Sequence, residues 1–126
     1  MKIFVSYTTR DDFVTRDFLI NLESKISDLG DIYIDLIHNH SENKQARVES
    51  ELQQADIFLL INTDSIKNSP WVRWEIETAE SIDLHRATIH PNPATKDFVT
   101  DEIRSVISNA INQLAAVRKN QNSLGP

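Results

Sequence analysis

The sequence predicts an α/β domain in three layers, a parallel β-sheet with helices packed on both faces. Short apolar runs alternate with segments of helical period along the chain, the pattern of β-α units with crossover connections. One run, DIFLLI (56–61), shows no alternation of apolar with polar residues, as a strand buried on both faces requires. Cap and turn residues stand between the runs, where a strand must give way to a helix. Crossovers joining parallel strands are right-handed, so the topology is largely settled once the elements are ordered.

The first element is KIFVSY (2–7), apolar, β-branched and aromatic, and expected as a buried strand. TTRDD follows as a loop, with Asp11 or Asp12 expected to cap a helix. Val14, Phe18, Leu22, Ile26 and Leu29 keep helical spacing, and Gly30 is expected as the stop. DIYIDLI (31–37) is the second strand and HNHSENK a polar loop, with Ser41 or Asn43 able to cap the next helix. That helix carries Val48, Leu52 and Ala55 on one face. DIFLLI is the third strand, expected to be central. After NTDSIKN, Ser69 and Pro70 open a helix with the residues favoured at the N-cap and the first helical position. ATIHP (87–91) is a short fourth strand, ended by Pro91 and Pro93. The last helix runs from a Thr100 cap through a stripe of Ile103, Val106, Ile107, Ala110, Ile111, Leu114 and Val117, closing on Arg118 and Lys119. One domain over residues 1–119 is expected, with 120–126 a disordered tail.

Composition narrows the function classes. A net charge of −6 argues against nonspecific binding to nucleic acid or to an anionic membrane, since both need a basic surface. The chain has no cysteine, which removes disulfides and thiolate metal sites. No apolar run approaches the ~18 residues of a membrane span, and MKIFVSYTTRDD is not expected to act as a signal peptide. A soluble cytoplasmic protein is expected. Only Gly30 and Gly125 are glycines, so no glycine-rich phosphate loop of the usual kind exists. A phosphoacceptor receiver domain would need an Asp ending the third strand, and LLINT has none before Asp64.

In open parallel sheets ligands bind outside the carboxyl ends of the strands. That edge gathers residues 6–12, 36–40 and 62–69, with Ser6, Tyr7, Arg10 and Asn62 among them. Glu75 lies a turn and a half into the helix beyond it. On that helix Trp71 and Glu75 are i and i+4 neighbours, with Trp74 between, and these are the chain's only tryptophans. Val72, Ile76 and Ala79 form the adjoining apolar face. A carboxylate sheltered beside an indole can have its pKa raised or can grip a polar ligand, because water competes less. Trp71 is either a pocket wall or packing, and Trp74 packing or partner surface. Arg10 and Arg73 could meet phosphates, or stay solvated, with Glu77 at i+4 from Arg73. Asp35 ends the second strand, as a cap or turn residue or a ligand contact.

The order IFVSYTTRDD, then IYIDL, then ADIFLLINTDSIKNSPWVRWEIETA resembles a TIR (Toll/interleukin-1 receptor) domain over residues 2–90. There a first strand ends in Ser-Tyr, a second in Asp, and a hydrophobic third strand precedes a Ser-x-Trp-x-x-x-Glu helix. Here these are Ser6, Tyr7, Asp35, residues 57–61, and Ser69, Trp71 and Glu75. The resemblance implies a flavodoxin-like fold and, from the enzymatic members, cleavage of NAD between nicotinamide and ribose with Glu75 catalytic. It further implies Ser6, Tyr7, Arg10, Asp35, Asn62 and Trp71 as substrate contacts, with NAD as substrate and no other cofactor. A carboxylate suits that chemistry, because loss of nicotinamide builds an oxocarbenium-like ribose beside it. Trp71 or Tyr7 could stack on a base or on the pyridinium ring. Hydrolysis would yield ADP-ribose and attack by the adenine a cyclic product.

The loop after the second strand is short and lacks glycine and proline, and the segment after Leu84 is compressed. A shortened C-terminal half is therefore expected, with the last helix in place of a fifth strand. That shape resembles short freestanding prokaryotic TIR-like proteins, which often make a nucleotide signal for a partner effector in antiviral defence. Two other readings stand beside this one: a non-catalytic TIR-like module working by self-association or partner binding, and an enzyme resembling nucleoside deoxyribosyltransferases. His38 and His40 in HNH have metal-ligand spacing for an extended segment but no third ligand in sequence, and otherwise are loop residues.

Overall fold

The computed structural model describes residues 1–92, 94, 95, 97, 98 and 100–123, the last four of these by backbone alone. Four strands, β1 (Lys2–Ser6), β2 (Asp31–Ile34), β3 (Ile57–Ile61) and β4 (His85–Ile89), form one all-parallel sheet in the order β2-β1-β3-β4. Five helices connect and flank them: α1 (Arg16–Ile26), the single turn α2 (Asp35–His38), α3 (Lys44–Gln54), α4 (Pro70–Ser81) and α5 (Thr100–Ser123). This is an α/β fold with a parallel sheet flanked by helices, and its strand order matches the first four strands of a flavodoxin-like sheet. No fifth strand is found among the described residues.

Strand alternation sorts the core into two halves. Ile3, Val5, Ile57, Leu59 and Ile61 point to one face, where Phe18, Leu19, Leu22 and Ile26 of α1 and Ile103, Ile107 and Ala110 of α5 cover them. Phe4, Phe58 and Leu60 point to the other, against Val48 and Leu52 of α3 and Val72 and Ala79 of α4. Phe4 stacks between Tyr33 and Phe58, with ring centroids 5.4 and 5.8 Å away. All five residues of β3 are buried, in keeping with its position inside the sheet.

Several boundaries differ from the sequence expectation, each for a local reason. Thr15, not Asp11 or Asp12, caps α1 through its hydroxyl, which accepts from the Phe18 N–H. Asp11 is used elsewhere: its carboxylate accepts from the hydroxyls of Thr63 and Ser65, which ties the loop after β1 to the loop after β3. Val14 is buried but precedes the helix. A 3-10 turn (Ser27–Leu29) follows α1, and Gly30 is extended rather than left-handed. Glycine is needed there for space, since a Cβ would come within 2.5 Å of the Met1 carbonyl oxygen.

The second strand stops at Ile34, and Asp35 to His38 coil into a helical turn instead of continuing it. Asn43, one of the two candidates, caps α3. Strand β4 begins at His85, two residues before the expected start, because α4 ends in a tight cap: Leu84 N–H bonds Ala79 O and Asp83 N–H bonds Glu80 O. At the C-terminus α5 runs on through Ser123, past Lys119 and into the segment expected to be disordered; residues 124–126 lie outside the described residues, as does Pro93. Among the described residues, no helix is long and apolar enough to cross a membrane.

Candidate functional site

At the carboxyl ends of β1 and β2, the start of α4 closes against the strand edge. Ser69 caps α4 by accepting from the Val72 N–H, and Pro70 occupies the first helical turn. The cap fixes the helix phase, so that Val72, Glu75 and Ala79 all fall on its buried side. Glu75 is therefore carried inward, at 3% exposure, on a stripe otherwise made of core residues. From the strand side, Ser6 shares the parity of Phe4 and points the same way. Its hydroxyl donates to Glu75 Oε1 at 2.9 Å.

Burial pushes the Glu75 carboxyl up to about 8, chiefly by desolvating the charged form. The Ser6 hydroxyl opposes that rise, the Asp35 charge adds to it, and the Trp71 indole opposes it more weakly. Glu75 has no ion-pair partner among the described residues.

Glu75 lines an open crevice of about 250 Å³ with Tyr7, Thr8, Thr9, Asp35, Leu36, Ser69 and Trp71. None of these residues is cationic. Trp71 stands at 39% exposure and Leu36 is exposed too, so two apolar side chains flank the crevice. Trp74 lies behind, half-buried against the α3/α4 core, with its ring 5.2 Å from that of Trp71. The Tyr7 hydroxyl accepts from the Leu36 N–H at 2.8 Å, and burial raises this phenol to about 12. Tyr7 thus joins the end of β1 to the first turn of α2.

Asp35 is held from behind. Its Oδ1 accepts from the Tyr33 hydroxyl at 3.0 Å and from Asn39 Nδ2 at 2.7 Å, and both donors are buried. Asn39 in turn accepts from the Ser41 N–H and donates to the Lys44 carbonyl, while Lys44 Nζ bonds the Asn39 carbonyl. Desolvation and the nearby Asp35 charge raise the Tyr33 phenol well above its ordinary value.

Five of the seven residues named from sequence meet here: Ser6, Tyr7, Asp35, Trp71 and Glu75. Two do not. Arg10 is exposed and outside the crevice lining, and its backbone N–H donates to Thr8 Oγ1. Asn62 is exposed on the β4 side, where its N–H bonds Ile89 O and its amide faces His90 Nδ1 at 3.4 Å. Arg73 donates to the Lys67 carbonyl instead of pairing with Glu77. His38 accepts the Ile34 N–H at Nδ1, and its Nε2 lies 3.0 Å from Glu23 Oε1, so both ring nitrogens serve the fold. Among the described residues no group of three His, Cys, Asp or Glu is placed to hold a metal ion.

Thr8, Thr9 and Leu36 line the crevice without having been singled out in the sequence. Their only signal was position, directly after β1 and β2. Larger hollows exist: about 680 Å³ beside His90 and Phe98, about 610 Å³ between β4 and α5, about 440 Å³ beside β2 and about 270 Å³ beside Asp56 and Leu84. None of the four is lined by a buried carboxylate among the described residues, so chemistry rather than volume picks out the crevice beside Glu75. No protein-family model and no curated protein matches the chain.

Proposed function

We propose that the crevice binds the nicotinamide-ribose half of NAD or a related nucleotide, and that Glu75 is the catalytic residue for cleaving the bond between them. The observation that carries this reading is a carboxylate buried with no cationic partner among the described residues, open to a hollow beside an indole, at the carboxyl ends of parallel strands. The order of motifs resembling a TIR domain supports the same assignment. A hollow of about 250 Å³ falls below the roughly 300–1,000 Å³ of ordinary small-molecule sites, so it suits one ring and its sugar, with the rest of a dinucleotide outside.

The residues suggest a division of labour. As the C1′–N bond breaks, its electron pair leaves with nicotinamide and the ribose acquires positive charge. An ionised Glu75 at that face stabilises the charge or holds the ribose hydroxyls. Burial by itself favours the protonated acid at neutral pH; a cationic pyridinium beside it reverses that preference, so substrate and proton compete for the carboxylate. Attack by water then gives ADP-ribose, its proton passing to solvent, and attack by adenine gives a cyclic product that would serve as a nucleotide signal.

The test is nicotinamide release from NAD by the purified protein, dilute and crowded, beside Glu75→Gln. Release that disappears in the variant supports the reading. Equal traces from both remove it and leave a binding module, with exposed Trp71 and Leu36 as its contact surface.

A further inference from the structure

The crevice has an unequal pair of carboxylates. Glu75 is buried and hydrogen-bonded to Ser6, whereas Asp35 sits at the rim on the first turn of α2. Both bonds that hold Asp35 end on Oδ1, and no described residue bonds Oδ2. The two donors, Tyr33 and Asn39, are themselves buried and pin Oδ1, so the carboxylate is a positioned anion rather than a mobile surface charge. The same crevice is lined by the Trp71 indole, half-exposed, whose π-face attracts cations. Among the described residues no lysine, arginine or histidine lines the hollow to cancel either contribution.

We propose that Asp35 is the specificity-determining residue of this crevice, selecting ligands whose ring bears a positive charge, quaternised nitrogen heterocycles, over neutral rings of the same shape. The inference rests on the reading of the crevice as the substrate site and adds the basis of its selectivity. Glu75 cannot supply that basis alone, because a buried acid that holds its proton presents a neutral face to an arriving ring. Asp35 provides the standing charge, and the indole the stacking surface. At the few-ångström separations of a shared crevice near a protein surface, one such charge accounts for about a tenfold preference or more.

Two small probes isolate the effect from any catalysis: the 1-methylnicotinamide cation and neutral nicotinamide. Trp71 lines the crevice and the Trp74 ring lies 5.2 Å from it, so the Trp71 indole N–H resonance reports binding directly, with that of Trp74 as its neighbour. Titrations would compare the native protein with Asp35→Asn, which keeps an oxygen for Tyr33 and Asn39, and with Asp31→Asn, which removes an exposed charge from the other end of β2. The native protein and Asp31→Asn are expected to prefer the cation about tenfold or more, and Asp35→Asn to lose most of that preference, keeping only the part that comes from Glu75, while still binding neutral nicotinamide. A preference undiminished in Asp35→Asn, or absent from the native protein, or no binding of either probe, overturns the inference. Nicotinamide release from NAD is scored separately. Selectivity without release would uphold the role of Asp35 and remove the NAD reading, and release from a charge-blind crevice would do the reverse.

Discussion

Against α1 and α5 the sheet presents Ile3, Val5, Ile57, Leu59 and Ile61, and the buried side chains meeting them are apolar. Against α3 and α4 it presents Phe4, Phe58 and Leu60, and then Ser6, whose hydroxyl ends on a buried carboxylate. The two faces reach the same depth, yet only one spends a buried helical position on an ionisable group. A leucine in place of Glu75 would continue the stripe of Val72 and Ala79. A buried acid without a cation opposes folding whenever it must ionise. Its presence marks the α4 face as the one shaped by something besides packing.

The strongest way to break that comparison is Glu75→Gln. Nicotinamide release is expected to fall about a hundredfold or more, as when a charge-stabilising group is lost from an active site. Stability should move the other way. Between the ordinary carboxyl pKa of 4.5 and the folded value of about 8, the native state keeps a proton that the unfolded chain has released, so native stability falls as pH rises through that window. The variant lacks this loss. Urea unfolding should find the two proteins alike near pH 4 and the variant more stable above pH 8, by on the order of 4 kcal/mol. Parallel curves would mean that the carboxylate is solvated and the two faces are not so different.

Leu22→Ala probes the opposite face. The residue is fully buried among α1, α5 and the sheet, and deleting it should cost about 3 kcal/mol at every pH, with no effect on release per folded molecule. Ser6→Ala falls between the two. The Ser6 hydroxyl favours the ionised form of Glu75, so its loss should cost about 1 to 2 kcal/mol above pH 8 and less at pH 5. Equal cost at both pH values would make the bond a matter of packing alone.

How much of this was legible follows from what each signal measures. Apolar periodicity finds the strands and helices because burial is what it reports, and it found DIFLLI and the α4 stripe. The α1 cap was misplaced because Asp11 has cap chemistry but bonds Thr63 and Ser65 across the strand edge, a contact invisible to local sequence. DLI read as strand for the same reason: its apolar content is satisfied equally by a helical turn. The crevice was located by the rule for strand ends, which is coarser than a pocket. It gathered Arg10 and Asn62 along with the rest, although the hollow occupies only the β1/β2 end of that edge and Asn62 faces β4. The Ser6 to Glu75 bond was within reach of sequence, since Ser6 has the parity of Phe4 and Glu75 the phase of Val72.

The smallest effect concerns the two ends of α4 itself. Its N-terminal end, capped by Ser69, forms a wall of the crevice; its C-terminal end holds Asp83 at φ 57°, the left-handed region that glycine favours. Asp83 is the sole non-glycine residue with positive φ among those described, and it lies outside the crevice lining. A turn that places Leu84 N–H on Ala79 O needs that backbone angle whatever the residue, so the strain belongs to the helix cap. Asp83→Gly relieves about 1 kcal/mol of strain but frees the unfolded chain by nearly as much, leaving a gain of a few tenths of a kcal/mol. Asp83→Val, branched at the β-carbon, should lose about 1 kcal/mol or more. Neither should change cation preference or nicotinamide release. A change in either would mean that α4 transmits strain along its length, and that the crevice is tuned from its far end as well as by Ser6 and Asp35.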